Sequence, residues 1–161
     1  MKRSRSTLVA IAVAATCTSA AAAAGPAAVT IHNTEVFPAS GGATATFVAT
    51  GGVFGAGTSG TQESTFRFPG SLNSAAHRHA SVVNGIDVNT TADGTFTWAF
   101  SGHCSFVSES QAVCSGTWHI TGATGAYAGA QGEGTLSDVL TFDAFGNATG
   151  DDTFTGRIQI T

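Results

Sequence analysis

Apolar and polar residues alternate with a period of two along most of residues 29–160. Val29 and Ile31 alternate with Thr30 and His32. Ala45, Phe47 and Ala49 alternate with Thr44, Thr46 and Thr50. Ser64, Phe66 and Phe68 alternate with Glu63, Thr65 and Arg67. Phe96, Trp98 and Phe100 alternate with Thr95, Thr97 and Ser101. Trp118 and Ile120 alternate with Thr117, His119 and Thr121. Leu136, Leu140 and Phe142 alternate with Thr135, Ser137 and Thr141. Phe154, Ile158 and Ile160 alternate with Thr155, Arg157 and Gln159. This is the pattern of strands with one buried and one wet, threonine-rich face, which belongs to antiparallel sheet. Turn signals separate the runs at Gly41-Gly42, Gly51-Gly52, Pro69-Gly70, Asp93-Gly94 and Gly146-Asn147. Residues 70–90 are the least legible: His77, His79, Val82, Val83, Ile86 and Val88 permit one or two short strands, while Gly70 to Ala76 reads as loop. Strands with one apolar face must close or stack, so pattern alone leaves barrel and β-sandwich as alternatives.

The N-terminus reads as an address. Lys2, Arg3 and Arg5 precede an apolar run, Leu8 to Ala15, too short to span a bilayer, and then the small residues Ala20 to Ala24. That is a secretory signal, with cleavage expected near Ala24 and one domain over residues 25–161. Cys17 suggests a lipoprotein signal as a rival, but Ala14 and Thr16 fit that motif poorly. The remaining 137 residues suit a single core. They keep three arginines, no lysine and all ten acids, a formal charge of −7. This balance argues against nucleic acid and anionic membrane as partners, since both select clustered basic residues. No membrane insertion is expected after processing, and the sequence says nothing of oligomeric state.

Cys104 and Cys114 are the two cysteines left after processing, and an exported chain is expected to pair them. The bond supplies a register test. If they face each other across a hairpin centred near Glu109, opposed residues sum to 218. Phe100 then opposes Trp118, Trp98 opposes Ile120 and Gly102 opposes Gly116, all on one face. Ala99–His119, Ser101–Thr117 and Thr97–Thr121 fall on the other. Hydrophobic phase and sulfur geometry agree on one register, which a one-residue slip would destroy.

Candidate chemistry is sparse. Asp138 shares parity with Leu136, Leu140 and Phe142. An inward carboxyl there would be desolvated, with a raised pKa, and so a candidate catalytic acid or base. The more favoured alternative is a bulge near Ser137 turning it outward. His77 and His79 would share a face of a strand, yet no third ligand is fixed, so no metal site is assigned. His119 falls on the wet face, and Glu63, Glu109 and Glu133 read as solvent-facing or turn-borne. Tyr127 either offers a hydroxyl at a pocket mouth or packs over the neighbouring glycines, as buried tyrosines more often do. No cofactor motif is present.

The stretch Thr117–Thr135, T-W-H-I-T-G-A-T-G-A-Y-A-G-A-Q-G-E-G-T, resembles the T-G-x-x-x-A-x-G-x-G signature of allene oxide cyclases, dirigent proteins and secreted bacterial relatives. The matched positions are Gly122, Thr124, Gly125, Tyr127, Gly129 and Gly132; Ala123 stands where many relatives have a second glycine. The resemblance implies an antiparallel β-barrel of about eight strands. Both families control reactive intermediates by pocket shape. The expectation is therefore a barrel that binds a small hydrophobic molecule and steers its cyclisation or coupling, with Phe66, Phe68, Trp98, Phe100, Trp118 and Tyr127 as candidate ligand-binding residues. The alternative is a structural or surface-interaction protein whose barrel is filled by its own side chains. Neither family's substrate-contacting residues can be matched to this chain, so no activity is carried over.

Overall fold

The computed structural model describes residues 25–67 and 81–161. Residues 1–24, Cys17 among them, and Phe68, His77 and His79 lie outside the described residues. The chain is all-β: β1 (Ala27–Phe37), β2 (Ala43–Thr50), β3 (Thr58–Arg67), β4 (Ser81–Thr91), β5 (Gly94–Phe106), β6 (Gln111–Ala123), β7 (Ala130–Phe142) and β8 (Ala148–Ile160). Each strand pairs antiparallel with the next, and β8 pairs with β1, closing the barrel. Closure leaves no free sheet edge, which settles the choice against a sandwich.

The disulfide joins Cys104 to Cys114, with Cα atoms 4.0 Å apart. They are direct register partners, and Trp98–Ile120, Phe100–Trp118, Gly102–Gly116, Ala99–His119 and Ser101–Thr117 follow as the pattern requires. The register then shifts between Thr97 and Trp98, so Thr97 opposes Gly122 rather than Thr121. The Thr121 hydroxyl instead donates to the Thr97 carbonyl at 3.3 Å. A bulge of this kind bends the strand toward its end.

Residues 70–90 contain one long strand in their described part, not two short ones. β4 is inverted relative to the others: Asp87 and Asn89 point in, while Ile86 and Val88 are exposed. This polarity reversal is why hydrophobic alternation misreads it.

The interior divides into two halves. In one, Phe96, Trp98, Trp118 and Phe154 stack beneath Phe54 and Tyr127. Those last two sit on 3₁₀ turns, Gly52–Phe54 and Gly125–Tyr127, which fold across the barrel end. The Phe54 and Tyr127 rings lie 5.7 Å apart and both approach Phe96. Gly125 has φ +61, and a Cβ there would collide with the Asp93 carbonyl, so the turn beneath Tyr127 requires glycine. In the other half Val83, the disulfide, Ala112 and Leu140 form a smaller cluster rimmed by half-buried Phe37, Phe66, Phe100, Phe106 and Phe142. Ile160, expected inside by parity, is exposed, because it ends β8 at the barrel rim.

Candidate functional site

The second half contains a pocket of about 40 Å³. Its apolar wall is Phe37, Phe66, Val83, Phe100, Leu140 and the disulfide; its polar wall is Ser64, Glu35, Asp87, Asp138 and Asp152. Phe100 reaches the wall because its register partner across the ladder is Gly85. A Cβ on Gly85 would run into the Phe100 ring.

The inward acids come from four strands. Glu35 lies on β1, Asp87 on β4, Asp138 on β7 and Asp152 on β8, and all four are buried. The register of β7 with both neighbours runs without a shift through Ser137, so no bulge turns Asp138 outward. Asp138 is therefore inward, contrary to the favoured expectation, and it is one of four inward acids. Asn33 and Gln62, also buried, tie part of the set together. Asn33 Nδ2 donates to Gln62 Oε1 at 2.7 Å, and Gln62 Nε2 donates to Glu35 Oε1 at 2.7 Å and to Ser64 Oγ at 3.0 Å.

Burial raises the pKa of every one of these carboxyls, because a low-dielectric interior penalises the charged form. Asp87 is pushed up to about 6 by desolvation, while hydrogen bonds from Trp98 and Ser64 pull it partly back. Asp152 is raised furthest, by desolvation and then by the charges of Glu35 and Asp138. It lies within hydrogen-bonding reach of both, so it holds a proton and shares it with them. Glu35 is raised by desolvation and by Asp87 and Asp138; Asp138 is raised by desolvation against the hydrogen bond from Asp152. At neutral pH the pocket floor thus carries both proton donors and carboxylate acceptors.

Several buried polar atoms lack a partner among the described residues: Asp87 Oδ1, Asp138 Oδ1, Asp152 Oδ1, Asn33 Oδ1 and both side-chain heteroatoms of Asn89. Native interiors rarely leave such groups unpaired without reason.

Of the six aromatic residues expected at a ligand site, Phe66 and Phe100 line the pocket and Phe68 lies outside the described residues. Trp98, Trp118 and Tyr127 do not line it; they fill the closed half. Trp98 nevertheless touches the site indirectly, since its indole Nε1 donates to Asp87 at 2.6 Å. The Tyr127 hydroxyl lies 3.2 Å from Thr91 Oγ1. His119, Glu63 and Glu133 are exposed as the alternation requires, and Glu109 is exposed in the turn between β5 and β6.

Glu35, Asp87 and Asp152 were missed in the sequence; each shares parity with inward apolar residues of its strand, but none is flanked by them on both sides as Asp138 is. Glu35 extends the parity of Val29 and Ile31, Asp152 that of Phe154, and Asp87 that of Val83. No protein-family model, curated protein or solved structure matches the chain.

Proposed function

We propose that this barrel binds a small, largely apolar molecule in the pocket at its acid-floored end, and that pocket shape and protons from the floor steer a cyclisation or coupling of it. The observation that carries this reading is the asymmetry of the interior. One half is packed solid with aromatic rings. The other combines a pocket, half-buried phenylalanines and four desolvated acids. A purely structural barrel gains nothing from buried carboxyls, which cost stability that apolar side chains of the same volume would not. The resemblance of the Thr117–Thr135 stretch to allene oxide cyclases and dirigent proteins supports the same reading. The disulfide is compatible with an exported protein, and among the described residues no helix is long and apolar enough to cross a membrane. With the basic n-region and Ala20–Ala24, this supports secretion, to be checked by N-terminal sequencing of exported protein for a start near Gly25.

The pocket volume favours a second reading. About 40 Å³ holds a water or two, whereas drug-sized ligands occupy roughly 300 Å³ or more. A ligand of ordinary size must turn Phe37, Phe66 and Phe100 outward; if they do not turn, the barrel is a filled structural module. Titration with the neutral fluorophore N-phenyl-1-naphthylamine separates the two. Saturable binding that Phe66→Trp weakens, together with small molecules co-purifying from culture medium, supports ligand handling. Absence of both leaves the filled barrel.

A further inference from the structure

The pocket floor holds four acids and no cation. Every described Arg and His side chain is exposed and none lines the pocket. Buried carboxylates are ordinarily paired or bound to metal. We propose that Glu35, Asp138 and Asp152 form a binding site for a divalent, oxygen-preferring cation, calcium first.

One carboxylate oxygen from each of the three lies within 4.8 Å of the other two. Two oxygens on one calcium ion, at about 2.3–2.6 Å each, are separated by about 5 Å at most. The spacing therefore already suits a shared ion. The second observation is independent of the clustering. Asp138 and Asp152 are 6% and 5% exposed and line the pocket, and the Oδ1 atom of each has no hydrogen-bond partner among the described residues.

Backbone pairing sets the geometry. Asp152 is the register partner of Asp138 on β7 and of Asn33 on β1, and Glu35 follows two residues after Asn33 on the same face. Asn33 Oδ1 is also unpartnered, so an amide oxygen is present on that face beside the three carboxylates. The donors are all oxygen, because both pocket sulfurs are tied in the disulfide and no histidine faces inward among the described residues. This set selects calcium, magnesium or manganese over zinc or copper. The adjoining pocket supplies water ligands to complete the shell.

The site does not depend on the apolar-ligand reading, and its test is separate. Full-length processed protein is stripped with EDTA and titrated calorimetrically with calcium chloride at about pH 8, where protons compete less for carboxylates than at neutral pH. One saturable site is expected, with a rise in melting temperature. Glu35→Gln, Asp138→Asn and Asp152→Asn should each weaken it about tenfold or more. Asp87→Asn, which removes an acid outside the trio, should change it by less than about threefold. Manganese then locates the ion in the unmutated protein, whatever the folding of the variants. Its paramagnetic broadening should centre on amides near residues 33–37, 136–140 and 150–154. Three results would each overturn the proposal. One is no saturable binding of calcium, magnesium or manganese up to about 10 mM, well above the ~0.1–1 mM dissociation constants of extracellular calcium modules. Another is a loss with Asp87→Asn as large as in the trio. The third is broadening centred elsewhere.

Discussion

The indole Nε1 of Trp98 donates a 2.6 Å hydrogen bond to Oδ2 of Asp87, its direct register partner across the β4–β5 ladder. The bond couples the filled half of the barrel to the pocket floor. It also gives Asp87 an optical reporter. Desolvation pushes the Asp87 carboxyl up to about 6 in the folded protein from its ordinary 3.8. Between those values the unfolded chain has lost a proton that the folded chain keeps. Stability from this group is therefore greatest at acid pH, falls as pH rises from about 4 to about 6, and is level above that. The loss is roughly 3 kcal/mol at ~1.4 kcal/mol per pKa unit. Asp87→Asn should flatten that part of the stability curve in urea denaturation series run with EDTA. Asp138, Glu35 and Asp152 act with the same sign, so a residual slope should remain. Tryptophan emission should shift with a midpoint near 6 and lose that shift in Asp87→Asn. A slope unchanged by the substitution would contradict the assignment.

Parity made most of the barrel readable, and inside the barrel its failures fall on inward polar residues. Where an inward residue is apolar, alternation assigns it, as with Phe47, Phe96, Trp118 and Phe154. Where the inward residue is Glu35, Asp87, Asn89 or Asp152, polarity argues for the outside and hides the phase. On β4 the inversion covers Ile86–Asn89, with Ile86 and Val88 outside and Asp87 and Asn89 inside, while Val83 keeps the ordinary phase. Asp138 was noticed because apolar residues flank it on both sides at its own parity. The division of the interior was illegible for another reason. Two short 3₁₀ turns bring Phe54 and Tyr127 over one end, and no local pattern encodes that tertiary placement.

The disulfide spans a sequence separation of 10 and forms part of the pocket wall. A loop of this length implies about 2–3 kcal/mol of stabilisation, mainly through the unfolded state. The double substitution Cys104→Ala with Cys114→Ala should lower the denaturation midpoint accordingly. Non-reducing peptide mapping of exported protein should recover the two cysteines in one linked species. Free thiols at both positions would contradict the pairing.

Gly85 makes room for Phe100. A Cβ there would meet the Phe100 ring and, at 2.6 Å, the Thr65 carbonyl oxygen. Gly85→Ala should cost about 1–3 kcal/mol as an overpacking change. Adding Phe100→Leu should recover part of that cost, since one of the two collisions is removed. A double-mutant cycle on urea midpoints measures the coupling. Strict additivity would show that the ring is not held by the glycine.

The two halves of the interior should respond differently to truncation. Trp98 is fully buried, with its ring centroid 5.4 Å from that of Trp118 and 4.8 Å from that of Phe154. Trp98→Ala removes that contact area and leaves Asp87 without its indole donor, so a loss of at least about 3–5 kcal/mol is expected. Phe66 is half-buried at the pocket wall, where its ring meets Phe37 at 5.6 Å. Phe66→Ala leaves a widened opening in place of a sealed void, so the cavity part of the penalty is small and a loss nearer 1 kcal/mol is expected. Binding should move the other way. Phe66→Ala should change affinity for the neutral naphthylamine probe while the fold persists. The closed-half substitution Trp118→Phe, which keeps an aromatic ring, should leave probe affinity nearly unchanged. Urea denaturation and probe titration on the same three variants check both axes. Equal stability losses for Trp98→Ala and Phe66→Ala would mean that the pocket end is packed as tightly as the other, and the barrel would then be a filled one.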